Sequence, residues 1–240
     1  GAVEFQNQAQ FHPLKFLKAI SKTIKIYEHT EVIKVEKHKI TTKHGSVQAE
    51  KIIFTCHFPF VNFPGMYFAK MHQERSYVLA LKHASQVNGI YMGAEKGDYS
   101  FRNYGEYLLL GGMGHRTGKN ARSYEALQNA AKKWFPNSQE ICHWSAQDCM
   151  TLDKIPYIGQ YSRENPDWYI ATGFQKWGMT TAMTAALILR DLICGQEVFY
   201  KDVFSPSRFS LGNLPALVKE TGHSVKGLGK RILFIPGKEA

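Results

Sequence analysis

The sequence has few cysteines and no long hydrophobic run, and these two features argue against a zinc protein and a membrane protein. Its four cysteines, in 240 residues, show neither a Cys-x-x-Cys spacing nor a nearby histidine pattern that fits a zinc site. No stretch approaches the ~18 uninterrupted apolar residues of a membrane span, and no charged-then-apolar leader opens the chain. We therefore expect reduced thiols, no metal, no membrane association and a cytoplasmic setting.

Another absence concerns nucleotide binding. The sequence contains no Gly-x-Gly-x-x-Gly turn between a strand and a helix, and no acidic ribose partner about 20 residues beyond one. The principal grip on the pyrophosphate and adenosine of a dinucleotide is therefore missing from these residues. The chain also begins Gly1-Ala2-Val3 without an initiator Met and enters patterned sequence at once. This beginning indicates an excised or processed piece.

Acidic residues are outnumbered by basic ones. Lys and Arg number 30 against 20 Asp and Glu, which gives a formal net charge of +10. Such a charge suits nucleic acid, a phosphate-bearing cofactor or an acidic substrate. The lysines are spread along the chain, however, and no nucleic-acid recognition motif is present. We therefore favour a solvated, mixed surface and do not expect a nucleic-acid partner.

Hydrophobic periodicity predicts a helix and then short strands in the first part of the chain. Apolar residues recur at helical spacing from Pro13 to about Ile24. Short β-rich runs follow at residues 26–27, 32–35, 40–42, 47 and 52–55. The last of these runs is continuously apolar, which is typical of a strand covered on both faces.

Beyond Pro59, Pro64 and Gly65 the composition becomes aromatic and strand-forming, which predicts a second unit. Its predicted antiparallel strands are 77–81, 89–92, 99–102 and 108–112, with a further strand at 141–146. Between them, a helix is predicted from Ser123 to Trp134, with Ser123 as its cap.

The most informative element is a strand, a glycine turn and a helix late in the chain. Trp168 to Thr172 form an apolar strand, Gly173 to Gly178 a turn, and Met179 to Cys194 a helix. A helix that begins after a glycine turn offers unpaired N–H groups and the positive end of its dipole to an electron-rich ligand. Taken alone, such a turn is more often only a tight connection.

The surroundings of this element carry a family resemblance. Residues 153–159 are Asp-Lys-Ile-Pro-Tyr-Ile-Gly, and Ala-Thr-Gly follows at 171–173. This order resembles the carboxy-terminal signature of the D-amino-acid oxidase superfamily, FAD-dependent amine oxidoreductases that include glycine oxidase and sarcosine oxidase. The segments 8–13, 49–57 and 108–118 resemble other elements of that family in the same order. The resemblance covers about residues 1–208.

The resemblance implies an α+β fold with an antiparallel substrate-binding sheet, helices, and return elements of an FAD-binding α/β domain. It implies a partial FAD-binding domain at 1–65, a substrate-binding domain at 66–150, an FAD-binding return at 151–196 and a tail at 197–240. The parent protein would oxidise an amine or amino acid at a C–N bond by hydride transfer to flavin, without a catalytic side chain. Because the nucleotide grip is missing, this chain alone is expected to hold FAD weakly or not at all and to be inactive. Its expected partner is the missing amino-terminal segment of the same protein.

Within this resemblance, two sets of site residues are predicted. The flavin set is Cys56, Gly173, Phe174, Gln175, Trp177, Gly178, Met179 and Thr180, and the substrate set is Arg102, His115, Arg116 and Trp177. A guanidinium fork matches a carboxylate bidentately, although an ordinary surface role is the alternative for either Arg. A turn role for His115, simple packing for Trp177 and burial for Cys56 also stay open. The run 148–153 lacks the Arg-Pro usual before the signature, so either another Arg binds the substrate carboxylate or the substrate has none.

Other functions stay open beside the oxidoreductase. One is a non-enzymatic basic binding module on a decayed oxidoreductase scaffold, with nucleic acid or an acidic protein as its partner. Another is a structural role in which the tail from Glu197 joins a further module or partner chain.

Overall fold

The computed structural model describes residues 2–4, 6–7, 9–61, 63–95, 98–118, 122–208 and 222. Within them, no helix is both long enough and apolar enough to cross a membrane. The chain divides into two compact units, residues 1–31 with 74–147 and residues 32–73 with 148–240. Residues 1–31 thus group with the second predicted domain, and the boundaries near residues 65 and 150 remain proposals. Beyond Arg208, the predicted tail lies outside the described residues apart from Gly222.

Twelve strands and five helices are described, in the following chain order. They are β1 Ala2–Glu4, α1 Pro13–Ser21, β2 Val32–Glu36, β3 Lys39–Thr42, β4 Gly45–Gln48, β5 Ile52–Phe54, α2 Tyr67–Lys70, β6 Met71–Lys82, β7 Tyr91–Gly93, β8 Ser100–Tyr104, β9 Tyr107–Arg116, α3 Ser123–Trp134, β10 Gln139–Thr151, β11 Tyr157–Gln160, β12 Trp168–Thr172, α4 Gly178–Ile193 and α5 Lys201–Phe204. Mixed helices and antiparallel sheets confirm the expected α+β class.

The first unit is built on a six-stranded sheet in the order β1-β7-β8-β9-β6-β10. Strands β6 and β9 pair antiparallel, as do β9 with β8 and β8 with β7. Alternate residues of β6 and β9, such as Leu79 and Leu110, are fully buried against Leu127 of α3. The period of two along each strand therefore supplies one face of this core, and the helical period of α3 supplies the other.

Helix α3 has the predicted bounds but not the predicted cap. Its N-cap is Arg122, which makes no side-chain capping bond, and Ser123 is its first helical residue. The Ser123 hydroxyl donates to the carbonyl of Met113 at 3.4 Å. Ser123 therefore ties the helix to β9 instead of capping it.

The second unit contains a three-stranded sheet in the order β11-β12-β5 and the antiparallel meander β2-β3-β4. Strand β12 pairs antiparallel with β11 and parallel with β5. One sheet face, including Ile158 and Ala171, packs on Ile188 of α4, while the other carries an aromatic cluster around Phe54 and Trp168. All five residues of β12 are buried, as expected for a central strand with both faces covered.

Strand β5 differs from its prediction in one respect. Ile52 and Phe54 are each 5% exposed, but Ile53 between them is 45% exposed. Strand β5 lies at the edge of its sheet, and there Ile53 is left half-exposed although Tyr169, its partner on the same face, packs against α4. The continuous apolar run predicts that Ile53 is buried, whereas the described residues leave it half-exposed.

Candidate functional site

The turn after β12 is shaped by one glycine. Gly173 has φ +72°, in the left-handed region that glycine occupies without steric cost. A Cβ at this position would lie 2.3 Å from Cγ2 of Thr151 and 3.3 Å from the sulfur of Met71. Both the conformation and the close approach to β10 therefore require glycine here.

Hydrogen bonds fix the same turn to neighbouring segments. The Thr172 hydroxyl donates to the carbonyl of His57, just beyond β5. The Gln175 N–H donates to the Cys149 carbonyl at 3.1 Å, and Lys176 forms an ion pair with Asp148 at 2.9 Å. The turn is thus held between the loop that follows β5 and the last residues of β10.

The amino end of α4 is open. Its N-cap, Trp177, provides no side-chain capping bond and is 67% exposed. The N–H groups of Gly178, Met179 and Thr180 have no partner within the helix, because the first turn lacks preceding carbonyls. A Cβ built on Gly178 would meet nothing within 4 Å. The helix therefore presents donors and positive potential at a place that a flat, electron-rich group can reach.

These features fit a flavin ring, whose electron-rich edge needs N–H donors and whose faces need close access. The side chains of three other predicted flavin residues, Thr180, Phe174 and Trp177, point in different directions. The Thr180 hydroxyl is directed back to the carbonyl of Trp177 at 3.1 Å. Phe174 packs against the buried cluster of Ile158 and Ala171, whereas Trp177 extends into solvent. Of the two aromatic side chains of the turn, only Trp177 is free to flank a ligand.

Two thiols lie in the segments that hold the turn. Cys56 follows β5; the residue as a whole is exposed, but burial of its thiol raises its pKa above the ordinary value. Cys149 in β10 is buried, and this burial raises its pKa to about 12. Both thiols are therefore neutral near pH 7, and neither is poised as a nucleophile.

The predicted substrate residues of the first unit lie on different faces of its sheet. Phe101 of β8 packs against the α3 core, so its neighbour Arg102 points to the opposite face, where it is exposed. An Arg102 guanidinium nitrogen lies 3.4 Å from Oε1 of Gln10. Arg116 ends β9, opposite Glu74 of β6.

His115 instead lies on the α3 side of the sheet. Its Nδ1 is 2.9 Å from the Arg116 carbonyl, and its Nε2 is 2.9 Å from the Tyr77 hydroxyl. A carbonyl only accepts, so Nδ1 carries a hydrogen and, in the neutral ring, Nε2 accepts from Tyr77. Tyr77 in turn meets Tyr124 of α3 edge-on at 4.8 Å. His115 and Arg102 are thus not brought together, and both nitrogens of His115 are engaged.

An ionic cluster at the family signature was not foreseen from the sequence. Arg208 grips Asp153 with two hydrogen bonds of 2.7 and 2.9 Å, donates to the Pro156 carbonyl at 3.0 Å and stacks 4.0 Å from the Tyr157 ring centre. Burial raises the pKa of Asp153, but hydrogen bonds from Arg208 and the Ile155 N–H outweigh it, so the pKa lies below its usual value. Asp153, in the segment that resembles the family signature, therefore holds the chain at Arg208 against residues 153–157. The partners are 55 positions apart in the chain, and no local sequence pattern indicates that they pair.

A metal centre is not found in the described ranges, which contain no group of three or more His, Cys, Asp or Glu side chains able to hold an ion. All four cysteines are free.

Comparison with known proteins shows the family of the chain. The family model "FAD dependent oxidoreductase" (DAO) matches residues 1–192. A Bacillus subtilis (strain 168) protein, provisionally named a Rieske 2Fe-2S iron-sulfur protein, is 37% identical over 235 residues, covering 91% of this chain and 46% of that protein.

Solved structures with the same fold include two amino acid oxidoreductases. Glycine oxidase from Geobacillus kaustophilus is 19% identical with a TM-score of 0.64, over 77% of this chain and 53% of that one. L-proline dehydrogenase from P. horikoshii is 19% identical with a TM-score of 0.66, over 82% of this chain and 58% of that one. The chain thus spans about half the length of the proteins it matches. It belongs to the FAD dependent oxidoreductase (DAO) family, as its motifs predicted.

Proposed function

We propose that this chain is part of an FAD-dependent oxidoreductase that oxidises an amine or amino acid at its C–N bond. The observation that carries the proposal is the uncapped amino end of α4, with open space beside Gly178. Support comes from the family description and from the similar structures, whose names, glycine oxidase, L-proline dehydrogenase and L-amino acid deaminase, each refer to amino acids.

The residues around α4 would hold and tune the cofactor. Bound FAD would supply the acceptor for the hydride that leaves the carbon bearing the amine. The N–H groups of Gly178, Met179 and Thr180 would donate toward the electron-rich edge of the ring, and the helix dipole would stabilise the negative charge gained on reduction. Trp177 would flank the ring or the substrate. Since positioning of an uncharged amine supplies most of the rate, no acid–base side chain is required.

Arg102 is the proposed partner of a substrate carboxylate. It projects from the sheet face opposite α3 and is exposed, and one guanidinium nitrogen lies 3.4 Å from Oε1 of Gln10. Its guanidinium fork is therefore available for a bidentate carboxylate. Arg116, at the end of β9, is the second arginine proposed to bind a substrate carboxylate. For His115 we propose support of the sheet near Tyr77 in place of direct substrate contact.

The nucleotide grip would come from a part of the parent protein outside this chain. The outer edge of β5 and the half-exposed Ile53 suit a further parallel strand, and Met183 and Leu187, 59% and 50% exposed on α4, suit a covering helix. The similar structures contain chain of comparable length beyond the matched part. We propose that such a segment, as the expected partner, is needed for tight FAD binding and turnover.

Expression of this chain and of the complete protein tests the proposal. We expect the complete protein to be yellow and to reduce its flavin with an amine or amino acid, and the chain alone to hold little flavin and not to turn over. Arg102→Ala should raise KM for carboxylate-bearing substrates with little change in their maximal rate. The matched control Arg163→Ala, at an exposed site in the second unit, should change neither.

A complete protein without flavin would contradict the proposal. If that protein instead bound DNA or RNA with a steep salt dependence, the basic binding module would be favoured. Since all four cysteines are free, we also propose that the protein works in the reducing cytoplasm.

A further inference from the structure

Gln175 adopts a backbone conformation that its side chain disfavours. Its φ is +56°, in the left-handed region, and it lies two residues after Gly173, which has φ +72°. Glycine occupies this region without steric cost, whereas residues with a Cβ do not. A long, unbranched amide at this position therefore needs a compensating interaction.

The compensation comes from hydrogen bonds to β10 and within the turn. The Gln175 side-chain nitrogen donates to the Thr151 hydroxyl at 2.9 Å and lies 3.4 Å from the Gly173 carbonyl. Its main-chain N–H donates to the Cys149 carbonyl at 3.1 Å. One residue thus connects the last residues of β10 to the turn that leads into α4.

From these contacts, and resting on the proposed flavin function, we propose that Gln175 is a positioning residue that latches the 173–178 turn to β10 and so sets where the first N–H groups of α4 point. Gln175 acts through the turn and is not itself assigned a contact with substrate.

The test uses the complete flavoprotein and three variants. Gln175→Ala removes the amide and keeps the Cβ, Gln175→Gly removes the amide and relieves the backbone strain, and Thr151→Val removes the acceptor while keeping the methyl beneath Gly173. The control is Lys154→Ala, at an exposed residue with φ +62° in the same unit. The readouts are the flavin midpoint potential, the visible spectrum, and hydrogen exchange of peptides covering 173–180.

We expect all three variants, but not the control, to speed exchange of the turn about tenfold and to lower the flavin potential by about 30 mV, a tenfold change for a two-electron couple. The potential falls because displaced N–H groups stabilise the reduced ring less well. Gln175→Gly with wild-type potential and spectrum would overturn the proposal, because only backbone strain would then matter at this site.

The proposal also fails if Gln175→Ala and Thr151→Val leave the potential unchanged in a protein that retains flavin. A complete protein that contains no flavin refutes the proposed function instead, and with it the flavin part of the latch. In that case, exchange of the turn that remains equally slow in all variants would remove the latch as well.

Discussion

Replacing Gly173 with alanine should destabilise the protein strongly. The left-handed conformation, with φ +72°, costs a residue with a Cβ about 1–2 kcal/mol. The new methyl would lie 2.3 Å from Cγ2 of Thr151, closer than the 3.0 Å limit for real Cβ contacts, and Thr151 is only 3% exposed, so it has little room to move. Overpacking of this kind costs a further ~1–3 kcal/mol. We therefore expect a loss of about 2–5 kcal/mol, a large share of a typical domain stability.

Urea unfolding of the complete protein, followed by circular dichroism, measures this loss. Gly178→Ala is the matched control, because its Cβ meets nothing within 4 Å and its φ is not positive. The control should unfold within about 0.5 kcal/mol of the parent, as for substitutions away from packed features. Equal unfolding midpoints for Gly173→Ala and the parent would refute the packing described for the turn.

The remaining predictions concern the ion pair of Arg208 with Asp153 and the buried side chains of Cys149 and Tyr157. Arg208→Ala should lower the free energy of unfolding by about 3 kcal/mol because it leaves Asp153 without its partner, and Arg208→Lys by less. A loss under ~1 kcal/mol in urea unfolding would mean that the pair acts as a surface ion pair. Burial raises the pKa values of Cys149 and Tyr157 to about 12 from 9.0 and 10.0, so these groups stabilise the fold below pH 9 and this contribution declines as the pH rises toward 12. The free energy of unfolding, measured in urea at about pH 8, 9.5 and 11, should fall as the pH rises, and it should fall less steeply in Cys149→Ala. Equal dependence on pH in the parent and in Cys149→Ala would contradict the role given to the buried thiol.

Where sequence periodicity was strong, the sequence predicted the elements well. Strand β12 has its predicted bounds, and α4 begins and ends one residue earlier than predicted, because a buried strand and an apolar helix both carry long patterned runs. Strands β6 and β10 are much longer than the predicted 77–81 and 141–146, because many of their additional residues, such as 72–76 and 147–148, are polar and half-exposed. The predicted strand at 26–27 is not a strand in the structure.

The site was only partly predictable for a related reason. The glycines of the turn and the first residues of α4 are consecutive, so a local pattern could identify them. The partnership of Arg208 with Asp153 and the latch from Gln175 to Thr151 join residues far apart in the chain. No local pattern encodes such pairs. The left-handed conformation of Gln175 was hidden as well, because glutamine does not favour it.

The central claim is that the amino end of α4, at Gly178, receives a flavin ring. The most direct test is the flavin-to-protein ratio of the complete protein carrying Gly178→Val, measured after acid release, with urea unfolding as the check on folding. We predict a folded protein that has lost most of its flavin, because branched methyl groups would occupy the space that is now open. A folded Gly178→Val protein with the full flavin content of the parent would contradict the claim.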